Sequence, residues 1–237
     1  MAGLEAIWKC ARDDLTIGRG QADVFLWEHS ARVARSAAMI ADLPEVASRR
    51  VDLPALVAAA LYHDAGWASQ YQEGLIERCE ILSRPTNDLQ RELGAGLMEE
   101  RLTDLLSRQS LDTAAASIRQ LTARDNPRLE AQVLAEADNL NAIGALSFWL
   151  TVRRHSNEGK GIQAAIDTWQ RRKEYSFWEA RISESFRFAP VQELAQQRLK
   201  QFGEFMDALA RQHRSEDVAG LAGLDPSTVE ATLPSFT

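Results

Sequence analysis

Asp52-Leu53-Pro54-Ala55-Leu56-Val57-Ala58-Ala59-Ala60-Leu61-Tyr62-His63-Asp64-Ala65-Gly66 is the stretch that decides the fold of this 237-residue chain. Asp52 has the short carboxylate of an N-cap, and Pro54 falls in the first turn, where a missing N–H costs nothing. Leu56, Val57, Ala60 and Leu61 carry the helix on to a stop near Gly66. Ala55 to Tyr62 is the longest apolar run in the chain, far short of the roughly 20 residues that cross a bilayer. An apolar helix that ends on a charged pair, His63-Asp64, therefore belongs in a protein core.

The pattern on either side is helical as well. Val24-Phe25-Leu26, Ala31, Val33, Ala34, Ala37, Ala38, Ile40 and Ala41 recur at three- and four-residue spacing, the period of an amphipathic helix, and Pro44 helps to close it. Glu92 to Leu106 and Leu111 to Leu121 are further amphipathic stretches. Asn126-Pro127 opens the longest expected helix, carried through Leu129, Val133, Leu134, Ala137, Leu140, Ile143, Ala145, Phe148 and Leu150. After a polar break over 155–161 come helices over 162–178 and, past Pro190, over 191–211. No strand-like alternation of useful length and no internal repeat is present. The expected class is all-α, with a helical core over 1–155 and a C-terminal helical extension over 156–214. That extension is rich in aromatics, among them Trp169, Trp178, Phe186 and Phe202, whose burial favours packing on the core. Residues 215–237, with Gly, Ser, Pro and Thr, read as a tail.

Composition excludes several classes. Hydrophobic residues are 45% and charged residues 26%, ordinary values for a globular chain and unlike disorder, collagen or a disulfide miniprotein. Glu5, Lys9 and Arg12 interrupt the N-terminus, which lacks the apolar stretch of a secretory signal. A cytoplasmic protein with no membrane partner is expected. The net charge of −7 gives no bulk attraction for nucleic acid, so a stable nucleic-acid partner is not expected. Lysine occurs only at Lys9, Lys160, Lys173 and Lys200, so the basic side chains are nearly all arginine. Cys10 and Cys79 form no spaced pair, which leaves His, Asp and Glu to hold any metal.

Four histidines are present. His29 borders the apolar stripe of its helix, between Phe25 and Val33. His63 and Asp64 end the central helix. Asp138 lies mid-helix in Glu136-Ala137-Asp138-Asn139-Leu140-Asn141, with no Arg or Lys one turn away. An inward carboxylate is costly unless paired. Two imidazoles and two carboxylates from three helices solve that together as a nitrogen–oxygen site for a divalent cation. Each residue alone is as readily a packing or surface group. His155 and His213, in polar surroundings, read as surface residues. Trp67, Trp149 and Trp178 are either core residues or platforms for a nucleobase. No Gly-rich phosphate loop, Gly-x-Ser-x-Gly elbow or Walker motif occurs.

In order and in their flanks these residues resemble the HD-domain superfamily of metal-dependent phosphohydrolases. The segments are His29-Ser30-Ala31-Arg32-Val33-Ala34, Ala60-Leu61-Tyr62-His63-Asp64-Ala65-Gly66 and Glu136-Ala137-Asp138-Asn139-Leu140-Asn141-Ala142-Ile143-Gly144. The resemblance spans about residues 20–150. It implies an HD-like helical bundle in which His29, His63, Asp64 and Asp138 ligate one divalent ion, such as Mn, Fe, Co, Ni or Zn. It further implies attack of metal-bound hydroxide on a small phosphorylated compound such as a nucleotide, with Asp64 orienting the water. Arg32 and Asn141 are candidates to contact phosphate or to support a ligand, and Arg19, in Gly18-Arg19-Gly20, is a candidate phosphate contact. Two-metal members of the superfamily carry further histidines between the His-Asp pair and the last Asp; none lies between 65 and 137. The lysine that often follows the pair is replaced by Trp67, and one metal is expected. Two other readings stay open: a non-catalytic metal- or nucleotide-binding module, and an oxidative di-iron enzyme. Oligomeric state is open, a homodimer included.

Overall fold

Helix α4 (Leu53–Tyr62) starts as its sequence dictates: Asp52 Oδ1 accepts the Ala55 N–H at 3.0 Å, with Pro54 in the first turn. Every residue from Ala55 to Tyr62 is buried. A helix with no polar face has to be wrapped on all sides. The wrapping comes from α1 (Ala2–Leu15), α2 (Phe25–Ala41), α6 (Asp88–Leu102), α7 (Arg108–Arg119) and α8 (Leu129–Asn141), all of which touch it. Ala58, Ala59 and Ala60 leave no bulk between α4 and its neighbours, while Leu56, Val57 and Leu61 are buried among them. Burial contributes about 1.5–3 kcal/mol for each large aliphatic side chain. Stability is thus concentrated in the helix that carries the His-Asp pair.

The computed structural model describes residues 2–18, 22–123, 125–223 and 225. Its remaining helices are α3 (Pro44–Ala47), α5 (Gly66–Gln72), α9 (Ala145–Asn157), α10 (Ile162–Glu174), α11 (Phe177–Ser185), α12 (Ala189–His213) and α13 (Glu216–Leu221), with a 3₁₀ turn over Arg78–Glu80. The fold is all-α. Among the described residues the one β feature is an isolated antiparallel bridge between Ile17 and Asp23. No described helix is long and apolar enough to cross a membrane.

Three sequence expectations need correction. The helix expected from 126 to 150 is two helices, because Gly144 adopts φ +96° between α8 and α9, a conformation that side chains other than glycine rarely take. The helix expected over 162–178 is likewise two, broken at Ser176 in the left-handed region. His155, expected at the surface, is buried in α9. In addition, α9 runs through the expected polar break to Asn157, and α13 forms within the expected tail. Helix α1 carries buried Ile7, Ala11 and Leu15 on one face and was not anticipated.

The C-terminal helices join the main core. Trp169, Trp178, Ile182, Phe188 and Phe202 belong to the same buried cluster as Leu56, Leu61 and Val133, with the Trp169 and Phe202 rings edge-on at 4.9 Å. Helices α11 and α12 touch α8, which brings α9, α10 and α11 over one end of the bundle. Asp23 and Arg153 fasten α9 to the start of α2 through a two-pronged ion pair at 2.7 and 3.3 Å.

Candidate metal centre

Packing of α2 against α4 and α8 brings the four expected ligands to one point. His29 Nε2, from mid α2, lies 3.2 Å from His63 Nε2, 3.1 Å from Asp64 Oδ2 and 3.8 Å from Asp138 Oδ1. His63 Nε2 lies 3.2 Å from Asp64 Oδ2 and 3.7 Å from Asp138 Oδ1. His29, His63 and Asp64 are buried, whereas the Asp138 side chain is 36% exposed. Among the described residues this is the one place where three or more His, Cys, Asp or Glu side chains gather closely enough to hold an ion.

The donor set fits a divalent cation. Donors about 2.1 Å from a common ion in tetrahedral or octahedral arrangement lie about 3.0–3.4 Å apart. The three spacings among His29, His63 and Asp64 fall in that range, and Asp138 stands slightly further out. His63 Nδ1 is 2.9 Å from the Ala60 carbonyl, which accepts its N–H and so leaves the Nε2 lone pair facing the site. The Asn141 amide also lies 2.7 Å from His29 Nδ1 and fixes the orientation of that ring. Electrostatics agree. Burial alone lowers the pKa of His63, but Asp64 and Asp138 outweigh it and hold it well above the ordinary imidazole value. Burial raises Asp64, yet the two histidines bring it well below the usual carboxylate range. The carboxylates thus make the pocket one that demands positive charge.

The surrounding residues fix the ligands. Thr86 Oγ1 donates to Asp64 Oδ1 at 2.6 Å and accepts from Trp67 Nε1 at 2.9 Å. Arg91 donates to the Thr86 carbonyl at 2.7 Å and also pairs with Asp88. Gly66 permits this arrangement: a Cβ there would lie 2.0 Å from the Gln90 carbonyl oxygen, so α6 approaches the His-Asp turn only because residue 66 has no side chain. At the N-terminus of α6, Asn87 and Gln90 cap each other, and Gln90 also donates to Gln70 at 3.0 Å.

A cavity of about 600 Å³ opens over the ligands. His29, Asp64, Asp138 and Thr86 line it, along with Arg84, Arg91, Arg154, Arg172, Arg181 and Arg187. The sequence-expected phosphate contacts are placed differently. Arg32 reaches Asn141 Oδ1 at 3.4 Å, and neither residue lines the cavity. Both stand behind His29. Arg19 lies outside the described residues. Trp67 is fully buried, so its ring supports Thr86 and offers no face to a base. Trp149 is exposed away from the cavity, and only Trp178 lines it. Sequence reasoning missed Thr86 and the six cavity arginines. The one available signal was the preponderance of arginine over lysine.

Residues 26–143 match the HD domain family. The fold is similar to the crystal structure of a predicted HD superfamily hydrolase from an uncultured Thermotogales bacterium, at 18% identity and TM-score 0.54, over 88% of this chain and 92% of that one. It is also similar to Bacillus subtilis YpgQ, at 18% identity and TM-score 0.59, over 89% and 94% of the two chains. A further structure of YpgQ, in complex with ADP, matches at 20% identity and TM-score 0.57, over 88% and 97%. No functionally curated protein matches in sequence. With the donor set and the family match in agreement, residues 26–143 of the chain belong to the HD domain family.

Proposed function

We propose that this protein hydrolyses a small phosphorylated compound, with a nucleotide as the favoured substrate. His29, His63, Asp64 and Asp138 would hold one divalent cation, of the class Mn, Fe, Co, Ni or Zn. The observation that carries the reading is the meeting of two imidazoles and two carboxylates at a cavity whose wall carries His29, Asp64 and Asp138 together with six arginines. A cation bound there supplies an acidified water and polarises a phosphoryl oxygen.

The chain's own residues divide the remaining work. Asp64, kept ionised by its imidazole neighbours, accepts a hydrogen bond from the attacking water and orients it. Thr86 holds that carboxylate in place. Asn141, backed by Arg32, orients the His29 ring. Guanidinium groups on the cavity wall take phosphate oxygens in the paired geometry that suits them. A volume of about 600 Å³ is the size of a small-molecule site and supports a small substrate. The ADP complex of YpgQ supports a nucleotide.

Elemental analysis of the purified protein beside His63→Ala and Asp138→Ala is the test, followed by phosphate-release assays on nucleoside phosphates and on a phosphodiester. The expected result is about one transition metal per chain, lost together with activity in both variants. Turnover retained by metal-free His63→Ala would overturn the proposal. Ligand binding without any product would instead establish a binding module.

A further inference from the structure

Three of the cavity arginines come from three different helices: Arg154 from α9, Arg172 from α10 and Arg181 from α11. They act on one another, since the charges felt by Arg172 are those of Arg154, Arg181 and Arg171, all positive. Burial and this repulsion both lower the pKa of Arg172. The Nε groups of Arg154 and Arg181 are buried and donate to no protein atom. Arg181 gives one hydrogen bond, Nη2 to Asn139 Oδ1 at 3.2 Å, beside the expected ligand Asp138. The carboxylates that line the same cavity are Asp64, Asp138 and Glu184, of which the first two face the imidazoles of His29 and His63, and Glu158 acts on Arg154 from an exposed position.

Clustered, partly buried like charges cost stability unless an anion compensates them. The arrangement also leaves the donors free to do so. The Arg172 guanidinium lies over the Phe177 and Trp178 rings at 5.1 and 5.3 Å. A guanidinium held against aromatic rings keeps N–H groups for other acceptors, and phosphate oxygens suit them.

We propose that Arg154, Arg172 and Arg181 form a second anion subsite, which takes a phosphate group of the ligand other than the one at the metal centre. The proposal rests on the phosphate-ester reading and narrows the substrate class to compounds bearing more than one phosphate. The C-terminal helices then supply substrate selection, while the HD core supplies the metal.

The test is calorimetric titration of metal-free, chelator-treated protein with inorganic pyrophosphate, and then with ADP and AMP. The proteins are wild type, Arg154→Gln, Arg172→Gln and His63→Ala, each checked by thermal melting. Wild type and His63→Ala are expected to bind pyrophosphate equally, and the two arginine variants at least about tenfold more weakly. ADP is expected to bind wild type about tenfold more tightly than AMP, with the difference lost in Arg154→Gln. Arg154 makes no ring contact, so it keeps the test sound if Arg172→Gln loosens α11. No pyrophosphate binding at millimolar concentration, equal binding by the arginine variants, loss in His63→Ala, or equal wild-type affinities for ADP and AMP would each overturn the proposal. Failure of the metal-loaded wild type to hydrolyse anything would overturn the hydrolase reading alone, because the titration is done without metal.

Discussion

Thr86 Oγ1 lies 2.6 Å from Asp64 Oδ1, and this contact decides which carboxylate oxygen is left for an ion. Because Trp67 Nε1–H donates to the same hydroxyl, the hydroxyl proton is directed at Asp64. Oδ2 is then left facing the two imidazoles. Groups that orient ligands from behind commonly change metal affinity about 10–100-fold. Thr86→Val, similar in shape, is expected to weaken Mn binding by about that factor with little change in melting temperature, and Thr86→Ser to retain affinity. Titration of Mn against a competing chelator measures it. Unchanged affinity in Thr86→Val would remove the hydroxyl from the account.

Gly66→Ala is expected to be among the most damaging single-methyl changes in the chain. The added Cβ would sit 2.0 Å from backbone oxygen of Gln90, which has no flexible end to move aside. Overpacking of this kind costs about 1–3 kcal/mol or more. Displacement of α6 also drags Thr86 from Asp64, so denaturant midpoint and metal affinity should fall together. A variant with normal stability would mean that α6 relaxes freely.

How far the sequence could be read depended on whether a signal was local. Asp52, Pro54 and the apolar run defined α4 because cap and core pattern agree within one helix. His29, His63, Asp64 and Asp138 could be proposed together from the chain because each is a polar group on or beside the apolar side of an expected helix. The break at Gly144 was not, since Leu140, Ile143 and Ala145 keep helical spacing across it and periodicity cannot register a change of direction. Ser176 is harder still: neither Gly nor Pro marks the left-handed residue between α10 and α11. Arg154, Arg172 and Arg181 meet only through the packing of three helices, which no spacing in the chain encodes. Whether Arg32 and Asn141 face the cavity or stand behind His29 depends on the tilt of α2 against α8.

The pair Asp23–Arg153 should carry a measurable share of stability. Burial raises the Asp23 pKa, yet the hydrogen bonds and charge of Arg153 bring it below the usual carboxylate value. Both side chains are mostly covered, and Arg153 also lies over the Phe25 ring at 4.3 Å. Arg153→Ala leaves a covered carboxylate without its partner and is expected to cost about 2–4 kcal/mol. Arg153→Lys loses the two-pronged geometry and should recover only part of that in urea unfolding. Full recovery by lysine would show that charge alone matters.

Glu136 gives the fold a pH dependence that can be isolated. Its side chain is fully buried, Oε1 accepts the Arg187 N–H at 2.6 Å and Oε2 has no partner. Burial is the main cause that raises its carboxyl to about 7, against 4.5 as the ordinary value, with the Arg187 N–H and charge opposing the shift. Between those two values the unfolded chain has released the proton and the folded chain still holds it. Stability from this group is therefore complete below about pH 4.5 and is lost as pH rises through about 7. Glu136→Gln keeps an acceptor for Arg187 but cannot ionise. Melting temperatures measured in chelator should thus fall less steeply from acid to alkaline pH in the variant than in wild type. The subtraction also cancels His63, whose raised pKa gives a fall of the same sign and is common to both proteins. Parallel curves would mean that Glu136 releases its proton at the same pH in the folded chain as in the unfolded one.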